Sequence, residues 1–373
     1  MKIEVDKKDL QTLLGKTQNI VEKRTTMPVL VNVLLEARDG FLKVFATDLE
    51  VSLTDQIEAN IEQDGRVVVN AKSLFDIIKE LPEGPTELER QDNHWLKVKQ
   101  PKAQFNIVGI APEEYPVFPT YSVDKFLKIQ SAVLSEMIEK TIYSVSTDET
   151  RYHLNGVYFQ RQSEADKGAT FRMVATDGHR LSLIDKILDA GSSELKSDGV
   201  IIPRKGLNEI KKVLDQVDGE VEIAIEGAQL VLQSGSTILM IRLIEGKYPN
   251  YQQLIPQQLK QRMVIKTSDL KSSLKRVSLL SNQKSKGVTL DIQNGKLQIT
   301  SNNPELGDAK EELEVDYSGE PMKVGFNAKY ILDVLNSVND EVIHFELNDQ
   351  LSPGIIRPEQ DQGYTCVVMP MRI

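Results

Sequence analysis

Phe171-Arg172-Met173-Val174-Ala175-Thr176-Asp177-Gly178-His179-Arg180-Leu181-Ser182-Leu183 reads as an alternating strand that enters a turn and leaves as a second strand. An imperfect copy stands at Leu42-Lys43-Val44-Phe45-Ala46-Thr47-Asp48-Leu49-Glu50-Val51-Ser52-Leu53. A fainter one lies at Leu297-Gln298-Ile299-Thr300-Ser301-Asn302-Asn303. A motif present three times is architecture first, and a fixed period marks a chain built from repeated units.

The neighbouring segments repeat with it. Each unit has a first helix with one apolar stripe: Leu10, Leu13, Leu14, Thr17, Ile20 and Val21, then Leu134, Met137, Ile138 and Ile142, then Leu270, Leu274, Val277 and Leu280. Each also has a second strand-to-helix pair. Val67-Val68-Val69-Asn70-Ala71-Lys72-Ser73-Leu74 matches Val200-Ile201-Ile202-Pro203-Arg204-Lys205-Gly206-Leu207. Both match Val324-Gly325-Phe326-Asn327-Ala328-Lys329-Tyr330-Ile331. Alternating strands such as Glu220–Ile225, Leu230–Gln233 and Thr237–Ile241, split by Gly227 and Gly235, predict an antiparallel meander. The fold class expected is α+β, as three tandem two-helix, antiparallel-sheet domains over 1–122, 126–250 and 251–373. Polar, proline-bearing boundaries fall near Pro119 to Lys125 and Tyr251 to Arg262.

A chain of 373 residues exceeds what one core normally serves, in keeping with several domains. No apolar run approaches the roughly 20 residues of a membrane span. Met1-Lys2-Ile3-Glu4-Val5 reads as a strand rather than a signal peptide, and the single cysteine, Cys366, suits a reducing compartment, so a cytoplasmic protein is expected. The net charge of −10 does not exclude a nucleic-acid partner, since charges more than about 8 Å apart are largely screened at physiological salt. Local basic surfaces are in fact present: Lys7, Lys8, Lys16, Lys23 and Arg24 near the first helix, Arg204, Lys205, Lys211 and Lys212 on the fourth, Lys266, Lys271, Lys275 and Arg276 on the fifth.

Catalytic signatures are missing where they would be plain. Gly15-Lys16-Thr17 echoes a phosphate-binding loop, but Leu10 stands where its first glycine belongs. His94, His153, His179, His344 and Cys366 have no metal-ligand spacing. A hydrolase using Asp177 and His179 has no evident nucleophile. No enzyme, cofactor or metal is expected.

Several strings resemble one family in register. They are Arg151-Tyr152-His153-Leu154-Asn155-Gly156, Val174-Ala175-Thr176-Asp177-Gly178-His179-Arg180-Leu181, Pro203-Arg204-Lys205-Gly206, Asn302-Asn303-Pro304-Glu305, Gly325-Phe326-Asn327 and Val367-Val368-Met369-Pro370-Met371-Arg372. They are similar to the bacterial β sliding clamps, processivity subunits of the replicative polymerase, and the likeness runs from Met1 to Ile373. The resemblance implies the DNA clamp fold, with each chain forming half of a closed ring. A head-to-tail homodimer would encircle double-stranded DNA, with basic helix faces toward the phosphates.

It further implies DNA contacts at Arg24, Arg151, Tyr152, His153, Arg204 and Lys205. The other repeats carry Ala71 and Ala328 in place of Arg204, so the fold itself does not demand that arginine. A second implied site is an apolar pocket for short linear peptides of the polymerase catalytic subunit, the clamp loader and repair polymerases. Its matching positions are Leu154, Thr176, Gly178, His179, Arg180, Leu181, Pro249, Leu254, Leu351, Val367, Met369, Pro370, Met371 and Arg372. Ile107, Leu279 and Leu280 match dimer contacts. His153 and Gln253 depart from the tyrosine and arginine common in the family. A repeat scaffold that does not encircle DNA is the alternative.

Overall fold

The computed structural model describes every residue except 22–26, 123–125, 164–168, 189–198, 257, 362 and 373. Six α-helices lie among the described residues, two per repeat: α1 (Lys7–Thr17), α2 (Ala71–Glu80), α3 (Ser131–Glu139), α4 (Arg204–Leu214), α5 (Thr267–Val277) and α6 (Ala328–Ser337). Each follows directly on a strand, and short polar side chains make the switch. Asp6 accepts the Lys8 N–H at 2.8 Å, Asn70 that of Ser73 at 2.9 Å and Asn327 that of Lys329 at 2.9 Å. The periodic leucines are the buried faces: Leu10, Leu13 and Leu14 in α1, Leu74 and Ile78 in α2, Leu270 and Leu274 in α5.

The chain forms two compact units, although three repeats are written in it. One is built on Met1–Ala132 and Lys205–Leu243, the other on the described residues of 133–204 and 244–373. The reason is that hydrogen-bonded ladders cross the repeat boundaries. In the first unit, Val51–Glu58 of repeat one pairs antiparallel with Thr237–Arg242 of repeat two, making one nine-stranded sheet. In the second, Arg180–Leu188 of repeat two pairs with Tyr364–Val368 of repeat three inside an eight-stranded sheet. An edge strand exposes unpaired N–H and C=O groups, and joining the next repeat removes that exposure.

Each unit also has a smaller sheet. That of the first runs Asn60–Gln63, Lys2–Asp6, Pro85–Arg90, Leu96–Gln100, Ala103–Ile107, and that of the second Gly307–Glu314, Lys296–Asn303, Gly287–Gln293, Met322–Asn327. Ala103–Ile107 and Gly307–Glu314 are thus outermost strands, each with one unpaired edge.

Two side-chain clasps recur where consecutive repeats meet. In the first, a lysine near the end of the first helix reaches the hairpin of the next repeat. Lys16 Nζ lies 2.6 Å from Asp55 and 3.0 Å from Thr237 Oγ1, and Lys140 Nζ lies 2.6 Å from Asp361. Glu136 and Lys186 complete the second of these networks.

The second clasp starts from the repeated turn. Asp48 Oδ1 accepts the N–H groups of Glu50 and Val51 at 2.9 and 2.7 Å, while its Oδ2 pairs with Lys205 of α4. Asp177 Oδ1 accepts those of His179 and Arg180 at 2.9 and 3.0 Å, and Arg180 reaches Asp333 of α6 at 2.5 Å. The turn needs a left-handed residue: Gly178 has φ 89°. Leu49 holds φ 73° at the same place in repeat one, a strained conformation for a side chain of its size.

Period-two alternation divides the functions of the eight-stranded sheet. Leu181, Leu183 and Val367 point to one face, Ser182, Tyr364 and Cys366 to the other. On that second face the Tyr143 hydroxyl meets Tyr364 at 2.7 Å, Ser182 at 2.6 Å and Cys366 Sγ at 3.3 Å. Tyr364 continues to Ser337 of α6 at 2.7 Å. Burial pushes both phenols and the thiol up, so all three stay neutral and hydrogen-bonded.

Burial alone would raise the Glu136 and Asp361 carboxyls, but hydrogen bonds and charge from Lys140 and Lys186 hold both below the usual range. A depressed carboxyl stabilises the fold above its unfolded pKa and ceases to as pH falls through the folded one. Asp361→Asn is therefore expected to lower the melting temperature at pH 7, with the gap from the unmutated chain closing as pH drops toward about 3. A gap that stays constant across that range would contradict the assignment.

Candidate functional site

An apolar cluster forms in the second unit where four neighbouring strands place residues side by side. Leu181 stands opposite Val367, and Val367 opposite Ile355, while Leu183 stands opposite Val174. Leu154, Ile201, Tyr248 and Tyr251 close over them, with half-buried Tyr158, Ile244, Ile255 and Leu259 packed against the group. Tyr158 and Tyr248 stack with ring centroids 5.0 Å apart. Two further residues expected in the pocket, Leu254 and Leu351, are exposed, the latter 79 %.

Of the residues expected to form a peptide pocket, Leu154, Leu181 and Val367 lie in this floor and Thr176 is buried beside it, its Oγ1 donating to the Arg180 carbonyl at 2.6 Å. Pro249 is exposed one residue from Tyr248. His179 is exposed and forms the turn tip with Gly178. Arg180 differs from the expectation: it is buried, bound to Asp177, Asp333 and the Tyr143 carbonyl, and lies over the Tyr143 and Tyr330 rings. It holds the turn, and it also lines a cleft with Tyr143, Asp177 and Tyr330.

The C-terminal segment runs away from the turn. Met369 N–H donates to the His179 carbonyl and Met371 N–H to that of Gly325, both at 2.9 Å. Pro370, between them, is half-buried. Met371 and Arg372 line a separate cleft of about 570 Å³ with Thr289, Thr300 and Lys323. The tail thus sets its methionines at two places.

The tyrosines were missed by sequence reasoning. Lys247-Tyr248-Pro249-Asn250-Tyr251 spans the expected domain boundary at 250/251, with only Tyr251 inside the segment expected to be a polar linker, yet both tyrosines are buried. Two aromatics flanking a proline were the available signal, since a solvated linker has little use for them.

The expected DNA contacts separate in the same way. Arg151, Tyr152 and His153 lie on the 3₁₀ helix Glu149–Leu154, with Tyr152 57 % exposed and its ring edge-on to His153 at 5.7 Å. Arg151 Nε donates to Asp148 at 2.9 Å. Arg204 is exposed at the start of α4. Lys205, by contrast, is engaged with Asp48. Arg24 lies outside the described residues.

Among the dimer candidates, Leu279 is 75 % exposed and Leu280 half-buried on the 3₁₀ helix Ser278–Leu280, but Ile107 is buried at the end of its edge strand. Phe105 on that strand, Val108 just after it and Leu306 beside the other edge strand are exposed.

The rival Asp177–His179 chemistry finds no geometric support, because the Asp177 carboxylate is occupied by backbone N–H groups and the Arg180 guanidinium. Among the described residues no cluster of His, Cys, Asp and Glu could hold a metal ion. No described helix is long and apolar enough to cross a membrane.

What remains is a repeat-built α+β chain with a buried apolar cluster and exposed cations. Comparison with known proteins gives that combination its place. Residues 1–119, 128–250 and 252–372 match the N-terminal, central and C-terminal domains of the DNA polymerase III beta subunit. The chain is 32% identical to the beta sliding clamp of Caulobacter vibrioides over 375 residues, covering 100% of both. It is likewise 32% identical to that of Escherichia coli K12 over 374 residues and the whole of both chains. Among solved structures, a sliding clamp from Bartonella birtlesii bound to griselimycin is similar with a TM-score of 0.94 at 33% identity, 100% of each chain being covered. The chain belongs to the DNA polymerase III beta subunit family, the beta sliding clamps. It is accordingly a non-catalytic processivity subunit that serves DNA replication.

Breaking a buried ion pair by removing one partner costs about 3–5 kcal/mol, because a charge is left uncompensated. Asp177 and Asp333 keep some solvent access, so Arg180→Ala is expected to cost about 3 kcal/mol in denaturant unfolding. Arg180→Lys is expected to recover less than half, since an ammonium cannot fork between two carboxylates and a carbonyl. Full recovery by lysine would show that charge alone holds the turn.

Proposed function

We propose that two copies close head to tail into a ring around duplex DNA, and that partner proteins dock short linear peptides on the apolar floor of Leu181, Val367 and Tyr248. The observation carrying the ring is the turn-to-helix clasp and its two open ends. The turn at Asp48 clasps α4, and the turn at Arg180 clasps α6. The third turn, Asn303-Pro304-Glu305, has the same cap, Asn303 Oδ1 accepting the Glu305 N–H at 3.0 Å, yet no ion pair joins it to a second helix among the described residues. At the other end Lys72 and Asp76 of α2 are exposed, at the positions Lys205 and Asp333 hold in the later repeats. A second copy presented head to tail supplies each open end with its missing neighbour, and such a contact closes when the rotation per chain is half a turn.

The edge strands Ala103–Ile107 and Gly307–Glu314 would then extend one another's sheets, with Phe105, Leu279 and Leu306 in the contact. Arg151, Tyr152, His153 and Arg204 contact the DNA backbone in this reading, and Arg24 joins them. Enclosure holds the DNA, so few phosphate contacts suffice and the net charge of −10 is no obstacle. The docked peptides are those of the replicative polymerase catalytic subunit, the clamp loader and repair polymerases, and the site of action is DNA in the bacterial cytoplasm. A peptide leucine or phenylalanine buried on the floor would contribute roughly 1.5–3 kcal/mol.

The ring is tested by solution mass against concentration. Lys72→Glu is expected to raise the dimer dissociation constant about fivefold, the equivalent of about 1 kcal/mol for one exposed pair. Adding Glu305→Lys to the same chain should restore it. No change in the single variant, or no rescue in the double, would overturn the proposed closure.

A further inference from the structure

The three second helices carry an equivalent lysine: Lys72, Lys205 and Lys329. At the first junction that lysine is consumed by structure, because Lys205 pairs with the Asp48 carboxylate. At the second junction the polarity of the clasp is reversed. The turn supplies the cation, Arg180, and the helix supplies the anion, Asp333. Lys329 has therefore lost its structural task, and it carries no ion pair among the described residues. It stands instead in a cleft of about 440 Å³ that is also lined by Arg151, His179 and Arg204.

The charges in this cleft are not evenly spent. Its three carboxylates are Asp148, Asp177 and Asp333. Asp148 is bound to Arg151, and the other two to Arg180. Arg204 and Lys329 have no carboxylate partner among the described residues. Four cations against three carboxylates leave the cleft a net +1, and Arg204 and Lys329, flanked by an arginine that presents its guanidinium edge toward Gly178 and by the exposed His179, suit an oxyanion with several acceptor oxygens.

We infer that this cleft is a phosphodiester-binding site, with Lys329 and Arg204 as its two principal contacts, and that it extends the DNA track onto the third repeat beside the peptide-docking floor. The inference rests on the proposed DNA contacts of Arg151 and Arg204 and adds to them a residue from another repeat. It gives the charge-reversed clasp a consequence: the swap of cation and anion between turn and helix releases a lysine for ligand. The phosphodiester could belong to duplex or to single-stranded DNA, and the two differ in their salt response.

The test is the salt dependence of full-length protein binding to short labelled oligonucleotides, one duplex and one single-stranded, between 50 and 200 mM salt. Losing one phosphate contact lowers the slope of log K against log salt by about 0.9 for duplex and about 0.7 for single strands. Lys329→Gln is expected to weaken binding at 50 mM and to make the loss across that range about threefold smaller, on whichever DNA fills the cleft. Lys329→Arg should retain the unmutated slope, and the melting temperature should not move, because Lys329 holds nothing structural. If Arg204→Ala lowers the slope and Lys329→Gln leaves it unchanged on both oligonucleotides, the cleft is wrong and the DNA contacts stand. If the unmutated protein shows no salt-dependent binding to either, both readings fall.

Discussion

The ion pair between a turn in one repeat and the second helix of the next is the constraint on which this molecule depends. A two-helix unit with short sheets has edges and a helix flank that it cannot satisfy alone. The strand pairings Leu53 with Leu239 and Leu181 with Val367 cover the edges, and Asp48–Lys205 and Arg180–Asp333 fix the helix flank. Ladder and clasp act on the same turn: the strand that leaves it joins the next repeat, and the side chain beside it grips that repeat's helix. A junction held at both points has little freedom to bend. That suits a chain whose proposed task is to complete half of an enclosure.

How much of this was legible beforehand depended on whether the signal was local. The strand-to-helix pairs were plain because Asn70, Asn327 and the apolar stripes of Leu10, Leu74 and Leu270 act within a few residues of themselves. The site was legible in part. Leu154, Leu181 and Val367 do meet, but no periodicity could say that Tyr248 and Tyr251, one on each side of the expected domain boundary, close over them. Arg180 is instructive. The resemblance placed it among the pocket positions, and only the partners Asp333, Tyr143 and Tyr330, distant along the chain, bury it. Likewise Lys205 and Lys329 occupy the same repeat position, and only the turn before each decides which is bound to a carboxylate.

The sequence divides into three units and the fold into two, and both divisions are physically sensible. Duplication sets the first, because each copy carries its own caps and stripes. Hydrogen bonding sets the second, because a continuous sheet is a stronger unit of cooperation than a repeat boundary. The same duplication separates roles. Repeat one keeps Leu49 in a left-handed conformation where repeat two has Gly178, and repeat two alone follows it with a histidine and an arginine. The three copies share an architecture, and the middle copy carries a turn of its own.

The account's central claim is that enclosure, rather than adhesion, keeps this protein on DNA. The direct measurement is retention on a nicked circular duplex after loading, followed by cutting of the circle. The account predicts slow loss from the intact circle even when the salt is raised, and prompt loss once the circle is made linear. Equal retention on circular and linear DNA, or release from both on adding salt, would contradict it.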